Sequence, residues 1–184
     1  RLFPGYQAKV VEVGSGRAAG PGGVGELWLS GPGLMRGYLG DAAAALVEAG
    51  GVEWLRTGDL CYFDEEGFLY VVDRIKELIK HKGFQVAPAE LEALLLSHPH
   101  ILDAAVIPVA DEEAGEIPMA YVVRSERGGL SEEEVIQFVG AQVAPYKKIR
   151  KVAFIDAIPR SAAGKILRRQ LVERNRLAAV PSKL

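Results

Sequence analysis

Up to Asp73, apolar residues alternate with polar ones between glycine-bearing turns. Beyond it the rhythm gives way to strand-like runs broken by helix patterns. Alternation at every second residue marks a half-buried strand, one face on a core and one in water. Lys9-Val10-Val11-Glu12-Val13 and Gly25-Glu26-Leu27-Trp28-Leu29-Ser30 read this way, flanking a loop from Gly14 to Gly23. No helix pattern or phosphate-loop lysine follows that glycine-rich loop, so it predicts a hairpin connection. Asp41 to Ala49 reads as a short helix, with Asp41 as N-cap and Gly50-Gly51 ending it. Leu60 to Phe63 and Phe68 to Val72 predict a second hairpin across Asp64-Glu65-Glu66-Gly67, with Gly67 where positive φ is needed.

After Asp73, Pro88 falls in the first turn of a helix whose Leu91, Leu94 and Leu95 share a face. Ile101 to Val109 and Ala120 to Arg124 read as strands. Ser131 and Glu134 form a capping box, opening a helix that turns Val135, Phe138, Val139 and Val143 inward. Val152 to Ile155 predicts another strand and Ile166 to Leu177 a basic closing helix. Strands and helices mix without strict β-α-β alternation, so the expected class is α+β. A boundary near residues 73–76 separates a β-rich region, 1–74, from a small mixed domain, 75–184.

The 184 residues are 49% hydrophobic and 25% charged, ordinary for a globular protein. No apolar run approaches the roughly 20 residues of a membrane helix, so no membrane span is expected. The single cysteine, Cys61, lies within Leu60-Cys61-Tyr62-Phe63 and reads as a packed thiol. Residues 1–145 carry 11 basic and 22 acidic side chains, and residues 146–184 carry 11 and 2, so the net −2 divides into −11 and +9. No aromatic residues interleave the basic ones after Phe154, which argues against a nucleic-acid partner. His98-Pro99-His100 has the wrong spacing for two ligands on one helix face. With His81, these histidines read as surface residues at a helix end, and no metal site is assigned.

Two cationic, glycine-containing segments carry the chemistry. One runs Asp73-Arg74-Ile75-Lys76-Glu77-Leu78-Ile79-Lys80-His81-Lys82-Gly83-Phe84-Gln85-Val86, the other Pro159-Arg160-Ser161-Ala162-Ala163-Gly164-Lys165-Ile166. Upstream, Arg56-Thr57-Gly58-Asp59-Leu60 supplies a carboxylate read as lying in a loop. Cations for phosphate oxygens, a carboxylate for hydroxyls and a glycine for close approach suit a nucleotide and its acyl anhydride. Gly164-Lys165 is not a Walker A loop: no glycine lies five residues before Gly164, and Ile166 stands where Ser or Thr would bind magnesium. What remains is a lysine on a small-residue loop with little bulk to pin it, a cation able to meet developing negative charge.

From about Gly25 to Leu171 the chain resembles the C-terminal part of the adenylate-forming superfamily, and within it most resembles plant 4-coumarate–CoA ligases and their relatives. Gly25-Glu26-Leu27 through Gly37-Tyr38-Leu39, Arg56-Thr57-Gly58-Asp59, the segment from Asp73 to Glu92, and Pro159 to Lys165 follow in the family's order. The resemblance implies that Asp59 accepts hydrogen bonds from the ribose hydroxyls of ATP and that Arg74 adds a cationic donor. Lys165 would stabilise charge during adenylation. Lys80 and Gln85 would hold the acyl-adenylate phosphate in the second half-reaction. Lys82 and Gly83 would receive CoA. Lys76 would also contact the nucleotide and matches the hinge about which the small domain rotates, presenting Lys165 on one face and the Lys80-to-Gln85 loop on another. The implied substrates are a small-molecule carboxylic acid, ATP with its bound Mg2+, and CoA.

The family's lysine-bearing phosphate loop and acyl-pocket segments are absent. The expectation is therefore of a C-terminal piece of a longer enzyme, inactive alone. A terminal Ser182-Lys183-Leu184 matches the peroxisomal address and implies an import receptor as partner. Alternatives are a luciferase-type adenylating oxygenase and a non-catalytic nucleotide-binding module.

Overall fold

The computed structural model describes residues 2–35, 45–125 and 129–179. Gly37-Tyr38-Leu39, the start of the expected helix at Asp41, and Ser182-Lys183-Leu184 lie outside them. The chain divides into two compact units, Arg1–Lys76 and Glu77–Leu184.

The first unit is an antiparallel five-stranded sheet. Its strands are β1 (Gln7–Val11), β2 (Gly25–Ser30), β3 (Leu46–Ala49), β4 (Val52–Phe63) and β5 (Leu69–Arg74). The long β4 carries β2 on one edge and shares the other between β3 and β5. Residues 46–49 are thus strand, not the end of a helix. Gly50 and Gly51 both take positive φ, 65° and 73°, which makes them the two-residue turn of a β3–β4 hairpin rather than a helix stop. At the β4–β5 turn Asp64 Oδ1 accepts the backbone N–H groups of Glu66 and Phe68, and Gly67 takes φ 81°. Val10, Leu27 and Cys61 form the small core.

The second unit is built on a β-hairpin, β8 (Ile101–Asp111) and β9 (Gly115–Arg124). A tight two-strand element, β6 (Ile79–His81) and β7 (Phe84–Val86), joins β9 at Gly115, and β10 (Lys151–Phe154) runs parallel to it. Both faces of this sheet are covered, so β8 and β9 read as near-continuous apolar runs. Ala104, Val106, Ala120 and Val122 pack beneath α1 (Pro88–Leu96) and α2 (Glu132–Gly140), against Leu91, Leu95, Val135 and Val139. Ala105, Ile107, Met119 and Tyr121 form a second core with Ile158 and Leu171, the latter on α3 (Arg168–Ala179). Both halves of the capping box at Ser131 and Glu134 are formed.

Burial of this many branched side chains on two sheet faces, at roughly 25 cal/mol per Å² of apolar surface, is what makes the unit a rigid platform for its turns. Arg168 links α3 to the start of the unit: its guanidinium meets Glu77 at 2.9 Å and Glu92 at 2.8 Å, and Glu92 accepts the Val106 N–H.

Candidate functional site

Asp59 lies in strand β4, not in a loop. Its position is fixed by its neighbours, beginning with Glu26, a buried acid on β2. Glu26 accepts from Arg56 Nε at 2.9 Å, Trp28 Nε1 at 3.1 Å and the Gly58 N–H at 3.2 Å. Gly58 takes φ 73°, a conformation that a side chain resists. The Thr57 hydroxyl donates to Leu27 O and accepts the Asp59 N–H. Ladder irregularities on both sides, between Glu26 and Trp28 and between Leu60 and Cys61, accompany this bend.

Asp59 then pairs across the ladder with Arg74, whose guanidinium Nε lies 2.9 Å from Oδ1 as an ion pair. The structure thus brings together two of the residues expected at the nucleotide. Oδ2 of Asp59 has no hydrogen-bond partner among the described residues. Two positions along, Cys61 is fully buried, and burial, with a smaller contribution from the Asp59 carboxylate, pushes its thiol up to about 11. It is a packed thiol.

Sequence reasoning gave Glu26 no role. The pattern alone hid it: alternation puts Glu26 on the face opposite Leu27, and its burial follows only from the contacts with Trp28, Arg56 and Gly58.

Lys80 and Gln85 face each other directly as Cα partners across the β6–β7 hairpin. Lys82 and Gly83 form its turn with φ 48° and 83°, Lys82 being the one described non-glycine residue in the left-handed region. Two successive positive φ values make a type I′ turn, whose twist matches the strands it joins. The segment expected to be a loop is therefore a hairpin, and Lys80, Lys82 and Gln85 are all exposed on it.

A groove of about 460 Å³ opens beside this turn, lined by His81, Lys82, Phe84, Asp111, Tyr146 and Arg150 among others. Phe84 stacks on Tyr146 with ring centroids 4.3 Å apart. Backbone donation, first from Ala114, holds the Asp111 carboxyl below its usual range. His81 corrects the surface assignment made for the histidines: it is buried, and its Nδ1 lies 2.8 Å from Glu116 O, an acceptor that requires the proton on Nδ1.

Lys165 ends a turn closed from within. Gly164 N–H donates to Ser161 O, Ser161 N–H to Lys165 O, and Lys165 N–H to the Ser161 hydroxyl. Arg160 and Ile166 bridge its base, and Gly164 takes φ 78°. The backbone is held, contrary to the expectation of a loosely pinned loop. The exposed ammonium has no partner among the described residues. Ile158 and Ile166, flanking the turn, pack in the core beside α3, whereas Ile79 and Val86 of the hairpin pack in the core beneath α1 and α2.

Lys76 is exposed in a short 3-10 turn, Ile75–Glu77, and the two units divide immediately after it. Among the described residues no group of three or more His, Cys, Asp or Glu is arranged to hold a metal ion.

Residues 90–165 match the AMP-binding enzyme C-terminal domain, a stretch that ends on Lys165 itself. Residues 90–165 thus carry the C-terminal domain of AMP-binding enzymes. It is 60% identical over 94% of its length to a 4-coumarate–CoA ligase-like protein of Oryza sativa subsp. japonica, covering 29% of that protein. It is 56% identical over 94% of its length to the peroxisomal OPC-8:0-CoA ligase 1 of Arabidopsis thaliana, covering 32% of it. Among solved structures, ATP-bound MatB from Rhodopseudomonas palustris superposes with a TM-score of 0.85 at 30% identity, over 94% of this chain and 34% of that one. The chain thus spans about a third of the length of the proteins it matches.

Proposed function

We propose that this chain serves an ATP-dependent acid–thiol ligase of the 4-coumarate–CoA ligase-like kind. The observation that carries the reading is Lys165: an ammonium without a partner among the described residues, on a backbone-fixed turn, at the end of the matched AMP-binding domain.

In the first half-reaction a carboxylate oxygen of the acid bonds to the α-phosphorus of ATP. The bond from that phosphorus to the β-phosphate bridge breaks, and pyrophosphate leaves. Lys165 stabilises the charge that gathers on the phosphoryl oxygens, an interaction strongest in the transition state. Asp59 uses Oδ2 for the ribose hydroxyls while Arg74 fixes Oδ1 and offers its remaining donors to the nucleotide.

In the second half-reaction the CoA thiol, having lost its proton, attacks the acyl carbon and AMP leaves. Lys80 and Gln85, side by side, hold the adenylate phosphate. Lys82 and Gly83 admit the thiol-bearing arm, with the groove lined by Phe84, Tyr146 and Arg150 behind them. A swivel at Lys76 exchanges the two sets. The acid is an aryl or fatty carboxylate, the classes that the relatives' names span.

The test uses a protein in which this chain follows the upstream region present in its relatives, with cinnamates, benzoates and fatty acids as acids. Lys165→Ala is expected to lower acid-dependent ATP–pyrophosphate exchange by about 100- to 1,000-fold. Thioester formation from preformed acyl-adenylate should persist. Retained exchange in Lys165→Ala would remove the basis of the reading.

Peroxisomal residence is proposed on Ser182-Lys183-Leu184 and on the peroxisomal relative. An N-terminally tagged protein lacking Leu184 should stay cytosolic, and unchanged import would refute it.

A further inference from the structure

We infer that Arg160 and Asp103 are positioning residues for Lys165, a clamp that fixes the tip of its turn to the sheet. The inference rests on the adenylation role proposed for Lys165.

The hydrogen bonds of the turn itself lie between residues 161 and 165, and core packing of Ile158 and Ile166 anchors only its base, so none of these ties the tip at Gly164 to the sheet. Arg160 closes that gap. Its Nη1 donates to Gly164 O at 2.9 Å, while Nη2 and Nε donate to Asp103 Oδ1 and Oδ2 at 2.8 and 3.3 Å. One planar fork therefore holds both a carboxylate on β8 and the carbonyl of the peptide that leads into Lys165.

Asp103 is itself oriented. It follows a register shift in the β8–β9 ladder between Ile101 and Asp103, which leaves Leu102 as the extra, exposed residue. Its Oδ1 also accepts the Ala104 N–H at 2.9 Å. The chain of constraint runs from the buried Ala104 through the Asp103 carboxylate and the Arg160 guanidinium to the Gly164 carbonyl. Gly164 has positive φ and no heavy atom near its missing Cβ, so side-chain packing does not orient this peptide. The guanidinium contact does.

A half-exposed ion pair is ordinarily worth little to stability. Here side-chain exposures of 40% and 28% place the pair in that range, so its removal should leave the fold standing while freeing the turn. A misplacement of about 1 Å at a catalytic group can slow a reaction about 100-fold.

The experiment measures both half-reactions in the protein carrying the upstream region. Arg160→Ala is expected to lower the kcat of ATP–pyrophosphate exchange by about 10- to 100-fold, with little change in KM for ATP. Thioester formation from preformed acyl-adenylate should stay within about 2-fold, and the melting temperature should barely move. Arg160→Lys should not rescue, because a single ammonium cannot span Asp103 and Gly164 O together. Asp103→Asn keeps an oxygen for Ala104 N–H and should show a smaller loss of the same kind. The double variant should be no worse than Arg160→Ala alone.

Unchanged exchange in a folded Arg160→Ala protein overturns the inference. So does an equal fall in both half-reactions, the mark of a merely structural pair. If Lys165→Ala itself leaves exchange intact, the failure belongs to the proposed function and not to the clamp.

Discussion

The carboxylate at Asp59 and the ammonium at Lys165 are held in different ways. Asp59 is fixed from inside a sheet: a buried glutamate, a threonine hydroxyl and a left-handed glycine set its backbone, and Arg74 pairs with one of its oxygens. Lys165 is fixed only as far as its Cα, by a hydrogen-bonded turn and a surface guanidinium, and its side chain is left alone. The difference matches the tasks proposed for them. Ribose hydroxyls are neutral, directional partners, so a carboxylate serves them best when its lone pairs are already aimed. A phosphoryl group in transfer offers spread charge, which a mobile cation can find from a well-placed base. The side chain of Lys165 gives up about 2 kcal/mol of rotamer freedom only when it engages.

The sharpest way to break the contrast is to remove Glu26. Glu26→Ala leaves Trp28 Nε1 and the Gly58 N–H without an acceptor and the Arg56 guanidinium without its acid. Each orphan is half-buried and so costs about 1 kcal/mol, while Arg56 recovers by hydration because it is half-exposed, for a total of about 2 kcal/mol. Denaturant unfolding of this chain should show the first unit losing stability while the second, with its own core, keeps its midpoint. Loss in both, or in neither, would mean that Glu26 is not the internal support described here.

The legible parts of the molecule were those where local chemistry and tertiary structure agree. The Asp64-to-Gly67 turn, the Pro88 helix and the Ser131–Glu134 capping box each carry their own hydrogen-bond logic within a few residues, and each formed as expected. The misreadings came where one residue pattern serves two structures. Gly50-Gly51 can end a helix or turn a hairpin, and only pairing of Leu46–Ala49 with Val52–Leu55 decides between them. Lys82-Gly83 looked like a loop because the flanking strands are three residues each, too short to show a period. In the candidate site, the cations were visible from their motifs. Their supports were not: Glu26 lies 30 residues from Arg56, and Asp103 lies 57 residues from Arg160. Such pairs depend on register, which this sequence leaves implicit.

The smallest effect sharpens the comparison from the other side. Arg74 is 61% exposed, so its bond to Asp59, although only 2.9 Å long, is made largely in water. Arg74→Ala should change stability by less than about 1 kcal/mol, and salt should erase most of that. Its effect belongs to the ligand. In the protein carrying the upstream region, loss of one charged donor to the nucleotide should weaken ATP binding by about 10-fold, measured as KM for ATP in pyrophosphate exchange. Asp59 would still be aimed, because Glu26, Thr57 and Gly58 act through the backbone and do not need Arg74. If Arg74→Ala instead unfolded the unit as readily as Glu26→Ala, the ion pair would be part of the sheet's support, and the distinction between inner scaffold and outer contact would collapse.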